Sequence, residues 1–144
     1  METATMGQVL AAALVEDLAD VYEVRKGTLR PEDVRRVEVP EALVDTGATM
    51  LSLPGSLIRE LGLNLVNTRA GRTSAGVVPL NAYSGVRITI QGRQCISDVI
   101  EVPESCPVLV GQIPLEALDL VVDMSGRRLI GNPEHGGEHM IDMF

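Results

Sequence analysis

Residues 42–49, Ala42-Leu43-Val44-Asp45-Thr46-Gly47-Ala48-Thr49, join a short apolar run to a tight polar turn that carries one carboxylate. Three apolar residues ending at Val44 have the character of a buried strand, so Asp45 leaves a rigid element rather than a mobile loop. Asp, Thr and Gly each favour turns on their own account. Gly47 also reaches backbone conformations that other residues avoid and lets neighbouring groups come close. Such a triplet arises by chance in roughly a few per cent of chains of this length at average composition, so its surroundings have to carry the argument.

A second apolar run ending in glycine lies far downstream, Pro107-Val108-Leu109-Val110-Gly111, followed by Ile113-Pro114-Leu115-Glu116-Ala117-Leu118. Between the two runs, Asn67 to Ile90 alternates and carries Gly71, Gly76 and Gly85, the pattern of long hairpins. Val34 to Val44 reads as the strand feeding the Asp45 turn, with Pro40 admissible only at an edge or a bulge. Pro54 to Leu61 has the start of a helix and Gly62 its stop. Strands follow at Cys95–Val102 and Val108–Val110, then a helix near Leu115–Leu118 and a last strand pair around Leu120–Asp123 and Arg128–Ile130. Arg30-Pro31-Glu32-Asp33 reads as a turn or a single helical turn started by Pro31.

On Ala42 to Leu53, Leu109 to Leu118 and the glycine-bearing hairpin between them, the chain resembles the retropepsin-like, or retroviral-type, aspartic proteases, in particular the small ones of non-viral origin. The resemblance covers roughly residues 35–130. It implies a mainly β chain folded as a retropepsin-like closed β-barrel, the acid protease fold, with one short C-terminal helix. Residues 1–144 are then expected to form a single such domain. In that family the Asp-Thr-Gly turn is the active site, which makes Asp45 the catalytic residue, with Thr46, Gly47 and Ala48 shaping its turn. Leu109, Val110 and Gly111 would pack beneath it. Thr73-Ser74-Ala75-Gly76-Val77 falls where the family carries its flap, a hairpin that closes over a bound peptide. Viral members usually have arginine after the second glycine, where this chain has Gln112. The ion pair which that arginine makes is therefore not expected here, a difference that bears on dimer stability more than on chemistry.

A chain of 144 residues that is 45% apolar buries one core comfortably and two poorly. Pepsin-like chains with two catalytic aspartates are about twice as long, and no second Asp-Thr-Gly or Asp-Ser-Gly occurs here. The resemblance thus implies a homodimer in which a two-fold axis brings Asp45 to its own copy. It also implies a peptide or protein substrate and no cofactor. Thr46 would bond across the axis. The alternative is a catalytically silent domain of the same fold that dimerises or binds peptides.

A net charge of −8 argues against nucleic acid or an anionic membrane as partner, since both select basic faces. Cys95 and Cys106 make neither a disulfide framework nor metal-site spacing. The run Val9-Leu10-Ala11-Ala12-Ala13-Leu14-Val15 follows no basic residue and is met at once by acidic ones, so it reads as neither signal peptide nor membrane span, and a cytoplasmic location is expected. By propensity residues 8–19 are helical, yet the resemblance implies a strand there, and the strand is preferred. His135-Gly136-Gly137-Glu138-His139 has the order of an inverted zinc-peptidase motif, which works only on a helix. Pro133 and the two glycines oppose a helix, so the segment is expected to be a tail with no metal. Its end, Met140-Ile141-Asp142-Met143-Phe144, alternates like a strand suited to pairing at a dimer interface, with Phe144 as a buried anchor.

Overall fold

The computed structural model describes residues 8–143. The alanine-rich N-terminal stretch forms a strand, β1 (Val9–Asp17), because pairing on both sides outweighs its helical propensity. Helix α1 (Leu18–Lys26) follows directly and stops at Gly27, which takes the left-handed conformation at φ 81°. This helix was not anticipated, although the basic residues Arg25 and Lys26 before a glycine are a recognisable helix end. A 3-10 turn at Pro31–Asp33 leads into β2 (Arg36–Val44). Then come β3 (Leu51–Pro54), α2 (Gly55–Leu61), the hairpin strands β4 (Asn64–Thr73) and β5 (Gly76–Ile90), and β6 (Arg93–Val102). The short β7 (Leu109–Val110), α3 (Gln112–Leu118), β8 (Leu120–Asp123) and β9 (Arg128–Gly131) complete the order.

Seven strands form one sheet in the order β1-β2-β7-β3-β6-β5-β4, and β1 also pairs with β5 from Leu14 opposite Thr89 to Asp17 opposite Val86. That extra pairing closes six strands into a ring and leaves β4 outside it. The result is a mainly β chain with a closed barrel, a topology that removes most free edges. Its interior holds Leu51, Leu53, Ile88, Ile90, Val99 and Val110, all at most 1% exposed, with Leu115 and Leu118 of α3 closing one side. Burying such a side chain fully contributes about 1.5–3 kcal/mol. Pro40 sits where the β1–β2 register shifts, between Ala11–Ala42 and Ala13–Val39, so its missing N–H falls at a bulge.

The tail departs from the expected strand. Residues 140–143 are exposed and belong to no strand, because their backbone is engaged elsewhere: Met140 N–H donates to Asp119 Oδ2 at 3.1 Å. Phe144 lies outside the described residues. Among the described residues no helix is long and apolar enough to cross a membrane.

Candidate active site

Strand β7 is inserted between β2 and β3, which are neighbours in sequence. It runs parallel to β2, with Leu43 opposite Leu109 and Val44 opposite Val110, and antiparallel to β3, with Leu51 opposite Val110. The connection from β2 to β3 is the Asp45-Thr46-Gly47 turn, so it must arch over the end of β7. Three backbone bonds fasten it there: Asp45 N–H to the Val110 carbonyl at 3.0 Å, Gln112 N–H to Ala48 O at 2.8 Å and Ile113 N–H to Thr49 O at 2.9 Å. The structure thus brings the two sequence signals together, Asp45 to Ala48 on one side and Leu109 to Gly111 on the other.

Gly111 makes that approach possible. A Cβ at this position would lie 2.5 Å from Met50 O, 2.7 Å from the Thr49 carbonyl carbon and 2.8 Å from Ala48 O, all backbone atoms. Only glycine admits the Ala48–Met50 segment against the start of α3. The turn itself closes by Ala48 N–H donating to Asp45 O at 3.0 Å. Gly47 N–H donates to Asp45 Oδ1 at 2.9 Å and so holds the carboxylate in one orientation. Asp45 and Ala48 are half-buried, while Thr46 and Gly47 are exposed. The Gln112 side chain reaches no carboxylate of the turn; it bonds Glu116 Oε2 within α3 at 3.3 Å.

The hairpin of β4 and β5 extends past the barrel. Gly76 to Asn81 pair only with β4, and the tip is a two-residue turn, Ser74-Ala75, in which Thr73 Oγ1 donates to Gly76 O and accepts from Ala75 N–H. Where β5 leaves the barrel, Ser84 and Gly85 stand opposite Asp98 alone, since Tyr83 faces Val99 and Val86 faces Ser97. This bulge turns the strand's alternation over. Tyr83 therefore shares the core-facing side with Val99, and alternation carries Asn81, Pro79 and Val77 up the same face of the ribbon. Val77 is 69% exposed there. No hydrogen bond among the described residues joins the tip residues Thr73 to Val77 to the Asp45 turn.

Tyr83 and Glu101 meet at the base of the hairpin. In the structure Tyr83 Oη donates to Glu101 Oε1 at 2.9 Å, and this bond to a carboxylate, with partial burial, raises the phenol above its usual value. The two histidines of the tail are also engaged. His135 lies between Asp119 at 2.6 Å on Nδ1 and Asp142 at 2.8 Å on Nε2, and His139 Nε2 meets Ala117 O at 3.1 Å. His135 is raised by the Asp119 bond first and the Asp142 bond second, while Asp119 is lowered to about 2, chiefly by His135 and then by Met140 N–H. Both histidines thus tie the tail to the end of α3. Cys95 and Cys106 are free thiols, and burial pushes Cys95 up to about 11, which leaves it unreactive.

An arched Asp-Thr-Gly turn over an inserted strand, in a six-stranded closed ring with a projecting hairpin, defines the aspartic peptidase class of hydrolases. The sequence model of the aspartyl protease family matches residues 33–122, and the chain belongs to that family in its retropepsin-like branch. Among solved structures the chain is similar to the solution structure of the protease of simian foamy virus (mac), at 19% identity and a TM-score of 0.48. That match covers 76% of this chain and 93% of the viral one. No curated protein matches the sequence.

Proposed function

We propose that the chain is an aspartic endopeptidase that works as a homodimer, with Asp45 of each copy at the axis. The observation that supports this best is the fastening of the Asp45 turn over Gly111, which holds one carboxylate half-buried and oriented by Gly47 N–H. One carboxylate cannot serve as both base and acid in the same step. Two brought about 3 Å apart cannot both ionise, so the pair holds one proton between them. The ionised member takes a proton from a bound water, which attacks the scissile carbonyl. The protonated member hydrogen-bonds that carbonyl oxygen and then helps protonate the leaving amine. Symmetry makes the two roles interchangeable until an asymmetric peptide binds.

In this reading Thr46, exposed on the turn, bonds across the axis, and the hairpin tip from Thr73 to Val77 closes over an extended peptide. Residues 1–144 act as one domain in the cytoplasm, with neither nucleic acid nor membrane as partner. The test is a diverse peptide library incubated with the wild-type protein and with Asp45→Asn. Wild-type cleavage should be abolished in the variant and unaffected by a zinc chelator. Equal cleavage by both proteins would leave a silent dimerisation or peptide-binding domain.

A further inference from the structure

The hairpin meets the barrel at the Ser84–Gly85 bulge, and a connected set of polar side chains spans that junction. From the outer strand inward, Thr68 Oγ1 donates to Asn81 Oδ1 at 3.0 Å, Asn81 Nδ2 donates to Glu101 Oε1 at 3.4 Å, and Tyr83 Oη donates to the same Oε1 at 2.9 Å. Thr68 is on β4, Asn81 and Tyr83 on β5, and Glu101 on barrel strand β6. The chain of bonds therefore runs from the projecting hairpin to the rigid ring. The other carboxylate oxygen of Glu101, Oε2, lies toward α2. It occupies space that a side chain at residue 55 would fill, since a Cβ on Gly55 would sit 2.5 Å from it.

We infer that Glu101 is a positioning residue which, through Tyr83 and Asn81, sets the angle at which the β4–β5 hairpin leaves the barrel. The bulge by itself is a bend without a stop. Tipward of the bulge only Tyr83 opposite Val99 and Ala82 opposite Ile100 still pair with the barrel, so the side-chain bonds to Glu101 reinforce a two-residue ladder against bending. The core-facing side of the ribbon carries Tyr83 and Asn81, the side that also carries Val77 toward the tip. Fixing the base thus presets where the tip stands before a peptide arrives, which lowers the ordering cost of binding. The catalytic consequence rests on the proposed lid; the mechanical one does not.

The two are separable by experiment. Tyr83→Phe, Glu101→Ala and Glu101→Gln are made in the Asp45→Asn protein, and amide hydrogen exchange is followed along the chain. Exchange over residues 67–81 should rise about fivefold in Tyr83→Phe, as loss of one hydrogen bond to a carboxylate allows, and at least as much in Glu101→Ala, which also loses the Asn81 bond. Glu101→Gln, whose amide oxygen still accepts from the phenol, should stay near the parent, and amides of β1 and β6 should not change in any of them. In the cleaving protein the first two variants should raise KM for a peptide about fivefold while kcat stays within about twofold. Unchanged hairpin exchange, an equal rise in the barrel, or a Glu101→Gln variant as loose as Glu101→Ala each overturns the inference. If the wild-type protein cleaves nothing while the exchange pattern holds, the peptidase reading fails and the hinge stands.

Discussion

Replacing Gly111 by alanine should unfold the site's support, whereas the same change at Gly47 should spare the fold and damage the chemistry. At Gly111 the new methyl meets three backbone atoms of residues 48–50 at 2.5, 2.7 and 2.8 Å, distances that real Cβ atoms do not show. Backbone cannot rotate aside as a side chain can, so the segment must move by at least about half an ångström, and overpacking of that kind costs about 1–3 kcal/mol. The moving segment carries Ala48 O and Thr49 O, which accept from Gln112 and Ile113. These residues are exposed or half-buried, so each bond lost adds about 0.5–1.5 kcal/mol. The sum is roughly 2–6 kcal/mol against a total stability of about 5–15 kcal/mol, which corresponds to a fall in Tm of about 8–25 °C for a chain of this size. A Cβ on Gly47 meets only Asp45 Oδ1, at 3.2 Å, and its φ is not in the left-handed region. Gly47→Ala should therefore change stability by no more than about 1 kcal/mol. It should also displace the carboxylate that Gly47 N–H orients and lower kcat/KM well below wild type. Thermal unfolding by circular dichroism and peptide cleavage measure the two effects. A Gly111→Ala protein melting within about 3 °C of wild type would refute the claim that glycine is required for this approach.

Further outcomes follow from the tail, from Ala48 and from the symmetry. Bonds from Asp119 and Asp142 raise His135, so its contribution is fully present below the ordinary histidine value of 6.5 and is lost as pH rises through the raised value. Asp119 is lowered, so its contribution is present above 3.8 and lost as pH falls toward about 2. His135→Ala should consequently melt below wild type near pH 6 and approach it at alkaline pH; a difference that persists unchanged to about pH 9 would contradict the clamp. Ala48, half-buried on the turn, offers no hydroxyl to the carboxylates, so Ala48→Ser, which adds a donor beside Asp45, should change kcat/KM while leaving Tm within about 3 °C of wild type. An unchanged kcat/KM would mean that residue 48 does not touch the dyad. Sedimentation should show a two-fold dimer, and activity in dilute solution should follow the square of concentration; a monomer with linear activity would rule out a shared site.

The Asp45 turn was legible because everything that makes it is local. Val44 ends a strand, Asp45, Thr46 and Gly47 prefer a turn, and the closing bond spans only Asp45 to Ala48. The barrel strands and α2 were legible for the same reason, through alternation of apolar residues and a glycine stop at Gly62. Alternation does not reveal partners. That β7 lies between β2 and β3, so that Gly111 bears on the backbone of Ala48 to Met50, is decided by long-range strand pairing. β1 shows the same limit in reverse, since its local helical preference yields to ladders with β2 and β5. The tail kept its periodic appearance but not its strand, because Asp119 binds His135 and the Met140 N–H. The sequence by itself determined which residue carries the carboxylate and how its turn is shaped. Only the tertiary structure decided what that turn rests on, what Glu101 holds and where the histidines go, because those contacts join residues far apart in the chain, and register and loop closure choose them.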